Sequence, residues 1–159
     1  MSPQPALFKI LDLVTAALQA TSGYGAPNTS TTKPVFDGPP LGQDSPLTYV
    51  SIGWTPTGDT AGTIRTMPGV FGARADLLEE GTFDALVVAS SGDTPPSTTR
   101  ATLRTMLADL TAAAYGLTDT TFAGYWCEVS NLDYRQIQSA SGVTCEATVT
   151  FSYRVQLGA

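Results

Sequence analysis

Two periods of apolar residues divide this chain. Near its start Leu7, Ile10, Leu11, Val14 and Leu18 recur at i, i+3, i+4, i+7 and i+11, while Lys9, Asp12 and Gln19 take the opposite side. That is one face of a 3.6-residue repeat and predicts an amphipathic helix over 5–20. Pro5 suits the first turn, where its missing N–H has no intrahelical partner to lose. A second stripe, Leu103, Leu107, Leu110 and Ala114, continued by Leu117, predicts a helix over 97–115 with Arg100, Arg104 and Asp109 facing water. Pro95-Pro96 leads into Ser97 as the candidate N-cap, and Gly116 is a natural stop.

Elsewhere the period falls to two. Cys145, Ala147, Val149, Phe151, Tyr153, Val155 and Leu157 alternate with Glu146, Thr148, Thr150, Ser152, Arg154 and Gln156, the pattern of a half-buried antiparallel strand. Residues 125–134 make the other arm of a hairpin, around a polar turn region at 136–142. The arm at 143–157 is longer than the usual roughly five or six residues, so its far end is expected to pair beyond the domain. Further strands are predicted at 33–36, closed by the turn Asp37-Gly38-Pro39-Pro40, at 47–54, and as two runs within 70–89 broken near Glu80-Gly81-Thr82. In the last run Phe83, Ala85, Val87 and Ala89 face one way and Leu86 and Val88 the other, as in a central strand covered on both faces. Residues 21–32 and 90–99 read as polar connections. The segment 55–67 holds two glycines, a proline and five threonines; it cannot bury itself and reads as a long loop or a projecting hairpin. The sum is one α+β domain over 1–159: a mostly antiparallel sheet with two helices packed on one face, in the order α-β-β-β-β-α-β-β.

Composition changes this picture in few places. Charged residues are 14% of the chain, against roughly 25% in an average soluble domain. Thr and Ser fill the surface instead, leaving it neutral, β-prone and easy to bury against a partner. A merely Thr-rich habit of sequence fits that observation equally well. The formal net charge is −6, from 8 basic and 14 acidic residues, with no run of Lys or Arg. An electrostatic grip on phosphates is therefore not expected, although an acidic protein can lie beside DNA without sticking to it. Cys127 and Cys145 read as small core residues of strands rather than as a disulfide. No apolar run approaches the ~20 residues that span a membrane. Lys9 and Asp12 interrupt what would otherwise look like a signal peptide, so a cytoplasmic site of synthesis and use is expected.

Catalytic chemistry finds little to build on. The chain has no histidine, which removes Ser-His-Asp and Cys-His nucleophilic sites, HExxH metalloenzymes and most zinc chemistry. Gly69-Val70-Phe71-Gly72 lacks the Lys-Ser/Thr of a phosphate loop and precedes no helix. Gly42-Gln43-Asp44-Ser45-Pro46 lacks the frame of a nucleophile elbow. Asp76, Glu79, Glu80 and Asp84 could bind a hard cation or act as an acid–base pair, but they lack calcium-loop spacing and read as solvated charges beside a hairpin turn. Trp54, Tyr125 and Trp126 suit an interface anchor or core packing equally. The expectation is a protein that is not an enzyme and needs no cofactor or metal.

Four pieces of the chain carry a resemblance. They are Val35-Phe36-Asp37-Gly38-Pro39-Pro40 followed by Tyr49-Val50-Ser51-Ile52-Gly53; the segment 74–89, ending Thr82-Phe83-Asp84-Ala85-Leu86-Val87-Val88; Arg100, in the helix after Ser91-Gly92-Asp93; and Ala123-Gly124 and Gly142-Val143, each before a hairpin strand. In turn they resemble the V-x-D-G-P to Y-V-x-V-G opening, the E-x-F-x-V central strand, a frequent helical Arg and the closing hairpin of the tail terminator family of long-tailed bacteriophages, in its actinobacterial-phage form. The chain departs where that central strand begins with a carboxylate beside a β-branched residue; here Glu79-Glu80-Gly81 intervenes.

The resemblance implies a structural virion protein at the head-proximal end of the tail, assembled in the host cytoplasm. Members form a homo-hexameric ring that caps the tail tube, stops polymerisation of the tail tube protein and meets the head–tail connector. Double-stranded DNA would pass through the lumen without specific binding, and no membrane is involved. Thr55, Thr57, Gly58, Asp59, Thr60, Gly62 and Arg65 are the candidate inter-subunit or tube-docking loop, and Trp54 and Trp126 the candidate interface aromatics. Another neck or head–tail joining protein, a tail-completion protein, or a small ligand-binding module with a pocket between sheet and helices are the alternatives.

Overall fold

The computed structural model describes residues 5–40, 48–58, 60–66, 78–92, 95–117 and 122–157. Its elements are α1 (Ala6–Gln19), β1 (Tyr24–Gly25), β2 (Lys33–Asp37), β3 (Tyr49–Ile52), β4 (Gly62–Thr66), β5 (Leu78–Ser91), α2 (Pro96–Tyr115), β6 (Phe122–Ser139) and β7 (Gly142–Leu157). A helix, a run of strands, a second helix and a closing strand pair follow one another as the sequence pattern predicts, and the class is α+β. Seven strands form one open sheet in the order β1-β2-β3-β5-β7-β6, with β4 also on β5. The β1–β2 and β2–β3 pairs are parallel and the others antiparallel, so the sheet is mixed. Asp37-Gly38-Pro39-Pro40 does turn the chain, with Gly38 at φ +95°. It does not close a hairpin, however, because β3 re-enters the sheet in the direction of β2.

Both helices pack on one face. Register places Phe83, Ala85, Val87 and Ala89 of β5 opposite Phe151, Val149, Ala147 and Cys145 of β7. All eight belong to a single core cluster with residues of both helices. Into it α1 buries Leu7, Ile10, Val14 and Leu18, and α2 buries Leu103, Met106, Leu110 and Ala114. Each of these side chains other than Ala114 contributes about 1.5–3 kcal/mol by leaving water. The Phe83 and Phe151 rings stack with centroids 4.9 Å apart at the centre. On the opposite face Leu86 and Val88 are also buried, as expected of a central strand.

Four details differ from the sequence expectation. On α2, Met106 takes the buried position and Leu107 is only partly covered, because the buried stripe runs through Thr99, Leu103, Met106, Leu110 and Ala114. The helix starts at Pro96, with Pro95 and not Ser97 at the cap and no side-chain cap bond; proline's missing N–H leaves one donor fewer to satisfy. The second half of 55–67 is strand β4, paired with β5 from Gly62↔Phe83 to Thr66↔Glu80. Finally, β5 runs unbroken through Glu80-Gly81-Thr82. A Cβ on Gly81 would collide with the Thr63 carbonyl and lie 2.8 Å from the Tyr153 hydroxyl oxygen, so this glycine admits the neighbouring backbone rather than ending the strand. Of the earlier run expected within 70–89, Leu78 and Glu79 belong to β5, while 70–77 lie outside the described residues, as do Gly69-Val70-Phe71-Gly72, Asp76 and 42–46.

Candidate functional site

The long hairpin decides where a site can lie. β6 and β7 pair from Phe122↔Leu157 to Ser139↔Gly142, so the turn shrinks to Ala140 and Ser141 and the strands extend well beyond the 125–134 arm expected. β7 is covered by β5 along its whole described register, whereas β6 ends the sheet. No strand among the described residues pairs with its outer edge. Residues 130–135 and 137–140 are all exposed, and they include Leu132 at 45%, Tyr134 at 47% and Ile137 at 42%. Leu132 and Tyr134 lie opposite Val149 and Ala147 and so stand on the helix side, while Ile137 lies opposite Thr144 on the far side. This half of β6 is thus open on both faces and along one edge. It carries neither Lys nor Pro, two of the devices that usually protect an exposed edge from pairing. Upstream the edge is closed differently: Val129 N–H donates to the Tyr115 hydroxyl at 3.1 Å, next to a register shift between Val129 and Asn131.

Trp126, 48% exposed, sits near the start of β6 on the far side of the sheet. It opposes Arg154 of β7, which in turn opposes Glu80 of β5. Arg154 donates to Glu80 Oε1 through Nε at 2.7 Å and Nη2 at 2.6 Å. Around them Arg65, Trp126, Glu128 and Ser152 line a cleft of about 190 Å³. The candidate residues Arg65 and Trp126, from distant parts of the sequence, are therefore brought together. Trp54 is not with them: it follows β3 and does not line the cleft.

The remaining loop candidates divide. Thr57, Gly58 and Thr60 are exposed, and Asp59 lies outside the described residues. Thr55 is buried, its carbonyl accepting from Gly58 N–H at 3.3 Å, so it shapes the turn and cannot dock a partner directly. Gly62 belongs to β4, where a Cβ would strike the Thr82 carbonyl; its role there is steric.

Of the acidic residues expected to be solvated, Glu79 is not. Glu79 is fully buried beneath the start of α1. Its carboxylate accepts from Ala6 N–H at 2.8 Å, Leu7 N–H at 3.0 Å and the Tyr153 hydroxyl at 2.7 Å. α1 has no side-chain cap of its own, and Glu79 supplies the missing acceptor and a negative charge at the positive end of the helix. Glu80 is engaged by Arg154, and Asp84 accepts from the Thr150 hydroxyl at 2.7 Å. Among the described residues no group of three or more His, Cys, Asp or Glu is placed to hold a metal ion.

Burial raises several acids above their ordinary range. The Tyr153 hydroxyl is held up by burial and then by its bond to Glu79, and that of Tyr24 by burial and its bond to Asp109. Burial likewise raises Tyr125, whose hydroxyl donates to the Ala114 carbonyl near the end of α2 at 2.7 Å. The Cys127 thiol is pushed up to about 11, mainly by burial; both cysteines are free. These groups hold their protons at neutral pH; Tyr125 ties the hairpin to α2, Tyr24 ties β1 to α2, and Tyr153 ties β7 to the Glu79 carboxylate under α1. They supply no reactive nucleophile.

Sequence reasoning missed the reach of β6. Leu132 and Tyr134 lie inside the arm expected, but Gln136, Gln138 and Ser139 around Ile137 carry no apolar alternation and resemble a turn. Compared with protein-family models and with curated proteins, the chain matches none, so its function is argued from its own residues.

Proposed function

We propose that this chain is a structural assembly subunit of a phage tail, a terminator that forms a ring on the tube end, halts tube growth and presents a surface to the head connector. One observation carries the reading: a long edge strand, open on both faces over residues 130–135, that carries Leu132, Tyr134 and nearby Ile137 and that no other described strand covers. Such a surface suits a subunit that is covered by neighbours. A ring of head-to-tail contacts closes on itself and covers every such edge. Trp126 in its charged cleft supplies an aromatic anchor of the type that dominates interfaces. Thr57, Gly58, Thr60 and Arg65 lie at or near β4 and would meet the tube. The acidic balance of the chain suits a lumen through which DNA slides without adhering.

The test is growth of tail tubes from purified tube protein with and without this chain, followed by negative-stain imaging. Rings at tube ends and a shortened length distribution are expected. Tubes that elongate unchanged in excess chain, with no density at their ends, would sink the terminator reading.

A further inference from the structure

The free edge of β6 carries a self-complementary triplet. Asp133 and Arg135 lie opposite Thr148 and Glu146 of β7, and Tyr134 between them lies opposite Ala147. Ala147 belongs to the core, so both charges stand on the face away from the helices while Tyr134 stands on the helix side. We propose that two copies of this chain pair through the outer edges of β6, antiparallel and about a two-fold axis at Tyr134. Asp133 of each copy then stands opposite Arg135 of the other.

The register follows from the residues. In a sheet continued about a two-fold axis, residues of the same face oppose one another, so only every second register is open. An axis at Asp133 sets two carboxylates against each other, and one at Arg135 sets two guanidinium groups. Like charges directly opposite are destabilising, and opposite charges there are favourable. An axis at Gln136 leaves Arg135 against Ile137. Only the axis at Tyr134 matches both charges, twice over by symmetry. It also places Tyr134 diagonal to the partner's Leu132, covering two of the exposed apolar side chains.

Both charges are available. Arg135 makes no ion pair among the described residues. Among the described residues Asp133 accepts from its neighbour Asn131, Nδ2 to Oδ2 at 3.0 Å, and keeps acceptor capacity. Arg135 would lie between Glu146 of its own β7 and the partner's Asp133. The Tyr115 bond at Val129 ends the free edge upstream, which confines pairing to the segment beyond it. A contact of this kind is isologous and closes as a dimer. It uses an edge that a ring neighbour would also cover, so it describes the free subunit and withholds β6 from premature ring growth.

The experiment is sedimentation velocity over a concentration series for the purified chain, Asp133→Arg, Arg135→Asp, the double reversal, and Asp133→Asn. The wild type is expected to show a concentration-dependent dimer. Either single reversal replaces two matched pairs with two like-charge contacts and weakens self-association on the order of tenfold to a hundredfold. Asp133→Asn, which adds no repulsion, gives a smaller loss. The double reversal restores the dimer, because the exchanged charges match again. Far-UV spectra should agree among all five proteins, since both positions are exposed; the two that carry Arg135→Asp set a second carboxylate opposite Glu146 and should melt slightly lower, by less than about 1 kcal/mol of stability. A monomeric wild type, single reversals that associate like the wild type, or a double reversal without recovery would each overturn the pairing. Capped tubes together with any of those results would leave the terminator reading intact, while rescued dimers that never cap a tube would do the reverse.

Discussion

Replacing Glu79 tests the claim that a buried carboxylate, reached across the fold, starts the first helix. In Glu79→Ala the Ala6 and Leu7 N–H groups and the Tyr153 hydroxyl lose their common acceptor at a position with no solvent exposure. An unsatisfied buried donor costs about 1–3 kcal/mol. Loss of a charge at a partly buried helix end adds up to about 2 kcal/mol. Fraying of the first turn and entry of water into the space left behind will recover part of this. The expected loss is therefore about 3–5 kcal/mol, a large fraction of the roughly 5–15 kcal/mol that holds a typical domain folded. Glu79→Gln keeps the volume and one acceptor but turns an amide donor toward the remaining donors; about half that loss is expected. The assay is urea unfolding followed by far-UV circular dichroism and tryptophan emission, with amide exchange at Ala6 and Leu7 as a local readout. Tyr153→Phe in a double-mutant cycle with Glu79→Gln should return a coupling of about 1 kcal/mol. A Glu79→Ala midpoint matching the wild type, or unchanged exchange at both amides, would refute the capping argument.

Three further outcomes are expected. The raised acids give an alkaline limit to stability. Cys127 has an ordinary value near 9 and a folded value of about 11, and Tyr24, Tyr125 and Tyr153 lie above the ordinary tyrosine value of 10. The folded chain therefore holds protons that the unfolded chain releases, so this stability is complete below pH 9 and declines as pH rises toward the folded values. Melting midpoints between about pH 7 and about pH 10.5 should be flat and then fall, with tyrosinate absorbance appearing at unfolding; a midpoint that rises above about pH 9 contradicts the assignment. Gly81→Ala forces a Cβ against Thr63 and Tyr153 and should lower stability by about 2 kcal/mol, read as a shift in the urea midpoint; an unshifted midpoint shows that β4 has room to yield. Trp126→Ala should cost the isolated fold less than about 1 kcal/mol because the side chain is half exposed, yet weaken tube-end binding by about 2 kcal/mol or more if it anchors that contact. Equal binding by the two proteins in a co-sedimentation assay would remove Trp126 from the interface.

How much of this was legible in the sequence depended on the range of the interaction. The α1 stripe from Leu7 to Leu18 and the alternation from Cys145 to Val155 were readable because burial of one face imposes its period on neighbouring residues. Glu79 was not readable as a cap. Its donors lie more than seventy residues away in the chain, and beside Glu80 and Asp84 it looked like one more surface charge. Gly81 looked like a break for the same reason, since a glycine that ends a strand and one that admits a neighbouring backbone are identical in sequence.

The candidate site divides in the same way. Trp126 and Arg65 could each be singled out as residue types suited to contacts, but only the sheet sets them around one cleft with Glu128, beside the Arg154–Glu80 pair. Two amphipathic helices, a half-buried terminal hairpin and the lack of histidine-based chemistry could be read from the order of residues, because these are local or compositional. Tertiary structure alone decided that β2 and β3 run parallel, that β5 passes through its glycine, that Glu79 anchors α1, and that β6 is left at the edge. Strand order depends on which distant backbones find each other, and local periodicity carries no record of that choice.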